Sequence, residues 1–505
     1  MQTIMTVSST PEIHIAPMLH YSTQEFLHFM RILTKRAILW TEMVVEDTII
    51  FNKNNLNQFL GSRADVSNLS PIVCQIGGRH PEWIGECTKI VEDHGYSGIN
   101  LNVDCPSDRV SGKGQFGAIL MHQKHISSEV VKAMNSNSKR IPISVKTRTG
   151  IELSIDEIYD TFDHLIGYIE RLRQNGCHKF IIHARKCVIG GLSPAQNRLV
   201  PPLNYPRVYD LCREFPDCEF IINGGIPGLK AAKELHQGLE KSRSEDKHTI
   251  PCYQCGASNG SCVHPPTFPG IPNMKGAMLG RACIDNPAMF WDVDRYIFGD
   301  LTNPCQNRRQ LLEKYCAFLE RRYPRRCCDD FSQEKEVTTC YKVAEESIHP
   351  TNEGGCSICD FIYRPSKQKN RRSLNSLPSP FKPCDVSNEV PIKIYVCSLD
   401  RGQLRQKEKK SQPKILISSV VMDRSIKPVL GIFFGKAKAK LFRHELHCFA
   451  RDLTNRNCGP GFAIRKAMLL MPAHALDEPF TKTEDLTHKD LTVHHSPQSS
   501  CQSSC

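Results

Sequence analysis

No apolar run in this sequence approaches the roughly eighteen residues that a helix needs to cross a bilayer, so nothing in it reads as a membrane span. No leader is expected from the first residues either. Residues 1–12 carry neither an apolar signal core nor a set of arginines, and the setting expected is cytoplasmic, with nucleus and organelles left open. That absence governs how the cysteines are read. There are 24 of them, and outside the secretory pathway reduced thiols are expected in place of a disulfide framework. A strong charge of one sign is also missing. Lys+Arg of 65 against Asp+Glu of 53 leaves +12, a basic excess that suits a nucleic-acid partner without identifying one. Residues 327–413 lack sustained hydrophobic periodicity, and residues 451–505 turn polar towards their end; both are expected to be disordered.

What is present is a chain of 505 residues, 40% hydrophobic, long enough for one large domain and a smaller one. Eight short apolar runs lie at 13–16, 38–43, 72–76, 99–103, 143–146, 180–184, 220–222 and 277–279. Each is followed by a polar or glycine turn, and most gaps hold helical spacing, as at 22–33, 81–94 and 155–174. Regular strand–helix alternation argues for parallel strands with crossover helices, and eight units argue for an α/β fold of the (β/α)₈ TIM-barrel type over residues 13–300. Barrels of this kind place their chemistry at the C-terminal strand ends. There the runs deliver Pro17, Met18 and Leu19; Gln75; Asn102 and Cys105; Lys146, Thr147 and Arg148; His183 and Arg185; Asn223, Gly224 and Gly225; Gly280 and Arg281. Only the second run delivers nothing polar or permissive. Gly224-Gly225 and Gly280-Arg281 follow runs seven and eight, where such barrels bind phosphate, and they offer close backbone approach and a guanidinium fork.

The stretch 98–120, GINLNVDCPSDRVSGKGQFGAIL, opens as a buried strand and becomes a cationic, glycine-rich loop with Arg109 and Lys113. The loop is expected to be mobile, and a cysteine at its base suggests chemistry on a polyanion. NVDCPSDRV resembles the catalytic segment of the tRNA-dihydrouridine synthases, in particular the DusA-type branch. The resemblance continues through APML (16–19), TEMV (41–44), QIGG (75–78), VKTRTGI (145–151), IIHARK (181–186), GLSPAQNR (191–198), PPLNYPRVY (201–209), INGGI (222–226) and LGRA (279–282), covering nearly all of 13–299.

The resemblance implies an FMN-binding barrel that takes hydride from NADPH and reduces uridines of the tRNA D-loop, here at position 20 or 20a, to 5,6-dihydrouridine. Cys105 would give the proton to C5 of the uracil, and the expectation is that its thiol is not strongly acidified. Lys146 would face the anionic edge of the reduced flavin and Gln75 its amide edge. Pro17, Met18, Leu19, His183, Asn223, Gly224, Gly225, Gly280 and Arg281 complete the cofactor set. Asn102 and Arg198 would contact tRNA from the barrel. Lys440 and Arg443, three apart on one helix face, would do so from a C-terminal helical domain split into 301–326 and 414–450. Ala195 stands where that branch has a basic residue.

Two stretches depart from the pattern. One, about 241–274, carries Cys252, Cys255, Cys262 and His264, whose types suit zinc but whose spacing does not match a zinc module well. The other, 327–413, carries Cys356, Cys359 and a basic run at 367–372. No metal is assigned to either. The rival readings are a flavin barrel acting on free pyrimidines or other small enones, and a tRNA-binding protein that has lost catalysis.

Overall fold

The computed structural model describes residues 10–237, 271–324, 417–451 and 458–480. Eight strands form a parallel ring: β1 (Glu12–Ile15), β2 (Leu39–Trp40), β3 (Ile72–Gly77), β4 (Gly98–Val103), β5 (Ile143–Arg148), β6 (Lys179–His183), β7 (Glu219–Asn223) and β8 (Met274–Leu279). They pair in the order β1-β8-β7-β6-β5-β4-β3-β2. A parallel bridge between His14 and Ile38 closes the ring, with Ile15 N–H donating to Ile38 O at 2.9 Å and Ile38 N–H to Ile13 O at 2.8 Å. Parallel strands are covered on both faces, which is why their sequences are continuous apolar runs. Ala16, Trp40, Ile181, Ile221 and Met278 fill the barrel interior as a separate cluster, and the larger core lies between the strands and the surrounding helices. The interior is thus a packed plug, and the free end for chemistry is the C-terminal one.

Helix Pro81–His94 has the bounds its spacing gives, because Pro81 opens it and Gly95 ends it in the left-handed conformation at φ 97°. The helix expected at 155–174 begins only at Phe162. Thr161 caps it by accepting from His164 N–H, and the apolar residues counted ahead of it sit on a short hairpin, with Ile158–Tyr159 antiparallel to Ile151–Glu152. Ile155 is 90% exposed, so it contributed to the spacing without belonging to a buried face. Of the run at 38–43 only β2 is strand, and a separate short strand just beyond it, Val44–Val45, pairs with β3. Between them Thr41 accepts the Gln75 N–H at 3.1 Å, so the second strand does supply a polar residue.

Beyond the barrel, helices Arg308–Arg322, Ser419–Ile426 and Ala439–Arg451 pack with it in one compact unit. Tyr315 Oη donates to Ser425 O at 2.8 Å, and Arg308 Nε to Ile432 O at 2.8 Å. Tyr323 Oη donates to Glu25 of the barrel at 2.5 Å. Gly431 lies so close to the short helix after β8, Arg281–Asp285, that a Cβ there would stand 2.4 Å from Ile284 O and 2.6 Å from Asp285 O. The disorder expected from residue 451 onward is corrected for part of that segment. Helices Pro460–Met468 and Ala473–Asp477 bury Ile464, Ala467 and Leu476 in the same core, and Arg309 pairs with Asp477 at 2.5 Å. The insert expected at 327–413 lies outside the described residues, as does that at 241–274 apart from its last four. Their cysteine sets and basic run lie outside as well.

Candidate functional site

Strand registers bring the chemical residues to one level. Asn102 on β4 lies opposite Lys146 on β5, Arg148 on β5 opposite His183 on β6, and His183 opposite Asn223 on β7. Lys146 and Arg148 are two apart on one strand and therefore face the same way, inward. Both cations end on Asp104, the residue just after β4. Lys146 Nζ pairs with Asp104 Oδ2, Arg148 Nε with Oδ1 at 2.7 Å, and His183 Nδ1 with Oδ1 at 3.1 Å. Burial alone would raise this carboxyl, but Lys146, Arg148 and His183 hold it well below the usual carboxylate range. Arg148 also donates through Nη1 to Lys186 O at 3.1 Å and Asn197 O at 3.0 Å. It ties two loops to the carboxylate while remaining fully buried.

Burial pushes His183 down from 6.5 to about 4; Asp104 works against this, and the Arg148 and Lys146 charges add to it. Its ring is therefore neutral at pH 7, with Nδ1–H donated to Asp104 and Nε2 facing Gly224 as an acceptor. The unfolded chain takes up that proton near 6.5 and the folded site only near 4. Between these values the unfolded state binds more protons, so stability falls as pH falls, by about 3 kcal/mol across the whole window. Urea midpoints of the wild type and His183→Gln at pH 7 and pH 4 check this. The variant is expected to lose most of that component of the pH dependence.

Cys105 follows Asp104 and is half-buried. Asn102 Oδ1 accepts its N–H at 3.1 Å and that of Asp104 at 3.3 Å. The Cys105 carbonyl accepts from Ser111 Oγ at 2.6 Å and Ala118 N–H at 3.0 Å. The loop expected to be mobile is thus folded back onto the cysteine through two short turns, Asp108–Gly112 and Gly117–Met121. Gly117 has φ +71°, and a Cβ there would meet Cys105 O at 2.9 Å, so both backbone conformation and space require glycine. Arg109 and Lys113 stay exposed on this loop. Burial pushes the Cys105 thiol up; the Ser107 N–H and the nearby cations offset this in part, and Asp104 adds to it. The thiol keeps its proton at neutral pH. Cys74, Cys177 and Cys187 are buried in the core and pushed to about 12, which leaves Cys105 as the accessible thiol at this end of the barrel among the described residues.

Gln75 and Asn102, both expected to face ligands, hydrogen-bond to each other. Asn102 Nδ2 donates to Gln75 Oε1 at 3.0 Å, Gln75 Nε2 to Asn100 Oδ1 at 2.9 Å, and Asn100 Nδ2 to Ser144 Oγ at 3.0 Å. This amide chain fixes Asn102 and, through it, the Cys105 backbone. Asn223 Nδ2 donates to Met278 O at 2.8 Å, tying β7 to β8. Gly224 and Gly225 have φ 116° and 64°, and Tyr205 Oη donates to Gly224 O at 2.5 Å. Gly280 sits beside Ala16 and Met18, so the ends of β8 and β1 adjoin; Pro17 is part-buried and Leu19 is exposed. Arg281 Nη2 donates to Arg198 O at 3.4 Å, bringing these two predicted residues together at the rim. Arg185, buried nearby, gives Nη1 to Pro201 O, while its Nε has no hydrogen-bond partner among the described residues.

Lys440 and Arg443 lie on helix Ala439–Arg451 and line a cavity of about 420 Å³ with Phe434, Gly435, Lys436 and Lys438. Lys436 pairs with Glu478 at 2.6 Å, whereas Lys438, Lys440 and Arg443 have no carboxylate partner among the described residues. At the opposite, N-terminal ends of β6 and β7, the ligand atoms of His178, Asp217 and Cys218 lie within 4.8 Å of one another. Arg173 already takes Asp217 there at 2.8 Å, so the group is an ion-paired rim remote from the site.

Sequence reasoning missed Asp104 and Asn197, and it brought Arg148 and Arg185 to the strand ends without giving them a role. The one available signal was an acidic residue directly before the cysteine, in a barrel whose fifth, sixth and eighth strand ends carry basic residues.

A family model described as dihydrouridine synthase matches residues 14–240. The tRNA-dihydrouridine(20/20a) synthase of Pasteurella multocida (strain Pm70) is 36% identical over 306 residues, 61% of this chain and 79% of that protein. Its counterpart in Vibrio cholerae serotype O1 is 34% identical over 310 residues, 61% and 80%. That of Escherichia coli (strain K12) is 37% identical over 309 residues, 59% and 76%. Among solved structures, morphinone reductase aligns with a TM-score of 0.35 at 11% identity, over 58% of this chain and 87% of that one.

Proposed function

The chain belongs to the dihydrouridine synthase family, and on that footing we propose that it reduces a uridine of the tRNA D-loop, at position 20 or 20a, to 5,6-dihydrouridine, with FMN in the barrel mouth and NADPH as electron donor. The observation that carries this reading is a protonated, accessible thiol, Cys105, whose backbone is pinned beside a ring of strand-end cations.

The residues fit a flavin mononucleotide on two counts. Gly224 and Gly225, both at positive φ, end β7, which pairs with the strand leading to Arg281, and Arg185 Nε is a buried donor without a partner among the described residues. These groups would hold the phosphate. Lys146 would face the ring, with Gln75, Asn223, His183, Gly280 and the 17–19 segment around it. When bound and reduced, the flavin supplies hydride for C6 of the uracil.

The protein's own part is proton delivery and positioning. Cys105 Sγ holds a proton at neutral pH and gives it to C5, and the thiolate left behind is reprotonated from solvent. Asn102 fixes where the Sγ can point by holding the backbone of residues 104 and 105. The target base has to leave its stack to reach the thiol, since neither carbon is accessible within folded RNA. Lys438, Lys440 and Arg443 supply phosphate contacts, which position the RNA and carry no sequence information.

The test is incubation of the FMN-loaded protein with NADPH and dihydrouridine-free tRNA, with dihydrouridine mapped by position. Product at position 20 or 20a is expected, and none from a flavin-loaded preparation overturns the reading. In the same assay the double variant Lys440→Ala/Arg443→Ala is expected to raise the apparent KM for tRNA about tenfold with kcat unchanged. It should lower the log–log salt slope by about 2. An unchanged salt slope removes these two residues from the RNA contact.

A further inference from the structure

One carboxylate meets both cations of β5 and the histidine of β6. Asp104 accepts from Lys146 at Oδ2 and from both Arg148 and His183 at Oδ1, so that β4, β5 and β6 converge on a single side chain. With His183 neutral, two cations face one anion, and this four-residue array carries a net charge of +1. A neutral side chain at 104 would leave +2. The carboxylate is mostly enclosed, its side chain 16% exposed, so water screens it little. Lys146 is 5% exposed and Arg148 2%, so neither can turn out to solvent to escape it. The general chemistry of flavins makes the consequence directional, because a flavin gains negative charge on its ring when it takes two electrons. Positive potential at the ring therefore favours the reduced form, and a fixed anion next to the lysine opposes it.

We propose that Asp104 is a positioning residue that holds Lys146, Arg148 and His183 in one array and withholds their positive charge from the flavin, keeping the bound cofactor a stronger reductant than a neutral residue at 104 would. The proposal rests on the flavin reading above. It assigns this chain's own acidic residue a role in setting how readily electrons leave for the substrate. Asp104 stays ionised throughout the neutral range, because its three partners hold it well below the usual carboxylate range, so the effect does not vary with pH there.

The test is the two-electron midpoint potential of bound FMN in the full-length holoprotein, measured against a reference dye in the wild type, Asp104→Asn and Asp104→Glu. Asp104→Asn is expected to tighten reduced relative to oxidised FMN about tenfold, a rise of about 30 mV for a two-electron couple. Asp104→Glu, which keeps the charge, should stay near the wild-type value. A purely structural role would lower the melting temperature without this charge-dependent split. If Asp104→Asn does not fold, Asp104→Ser, smaller and equally neutral, takes its place in the same measurement. Neutral variants that bind FMN with an unshifted or lowered potential overturn the proposal. Wild-type protein that takes up no FMN at all overturns the flavin reading itself, a distinct outcome that is visible in the absorption spectrum before any potential is measured.

Discussion

Cys105→Ala is expected to lower dihydrouridine formation by about 10²–10⁴-fold, the range a positioned general acid contributes, while FMN uptake and tRNA affinity remain near those of the wild type. The expectation follows from how separately the thiol and its mount are built. Asn102 and Ala118 hold the backbone of residue 105, not its side chain, so alanine keeps the same strand end and the same folded loop. The cations that would meet cofactor and phosphate belong to β5, β6 and β8 and do not depend on Sγ. What alanine removes is the proton. Burial and Asp104 keep the wild-type thiol protonated at neutral pH, so activity should fall on the alkaline side, above the ordinary thiol range, and be flat below it. Single-turnover assays of the reduced holoprotein with dihydrouridine-free tRNA measure this directly. A Cys105→Ala rate within threefold of the wild type would show that the proton comes from elsewhere.

Arg148→Met carries the second large effect, about 3–5 kcal/mol of stability. Its guanidinium is buried, pairs with Asp104 at 2.7 Å, and donates to the carbonyls of Lys186 and Asn197. Methionine fills much of the volume but leaves those two carbonyls and part of a buried carboxylate without a donor, which is the costly way to break a buried pair. Arg140, whose side chain is 65% exposed in its contacts with Glu92 and Asp93, is the control, expected to cost under about 1 kcal/mol when truncated. Urea unfolding of both variants reads the contrast. A loss below 1 kcal/mol for Arg148→Met would mean that the 186 and 197 loops do not depend on this tether.

The barrel was legible because parallel strands buried on both faces write themselves as apolar runs, and because signals such as Pro81 and Gly95 mark helix ends locally. Helix Arg308–Arg322 carries a local start signal of the same kind, Asn307 accepting from Gln310 N–H. The strand ends could be inspected once the fold class was known, and Cys105, Lys146, His183, Gly224, Gly225 and Arg281 do come to one face. What stayed hidden depended on register between strands distant in sequence. Asp104 reads as a spacer in NVDCP until β5 and β6 are set beside β4 and place Lys146, Arg148 and His183 around it. The Gln75–Asn102 pairing is hidden for the same reason: each amide, taken alone, looks free to meet a ligand. The helices at 460–468 and 473–477 were missed because they are short and hold their shape through packing on Arg308–Arg322.

The most direct measurement of the central claim is anaerobic. The FMN-loaded protein is reduced with one equivalent of NADPH and mixed with dihydrouridine-free tRNA, with already modified tRNA, or with free uracil, and recovery of oxidised-flavin absorbance is followed. The account predicts fast recovery with the unmodified tRNA and little with the other two. Recovery with free uracil and none with tRNA would contradict it, and would assign the barrel to a small-molecule reductase.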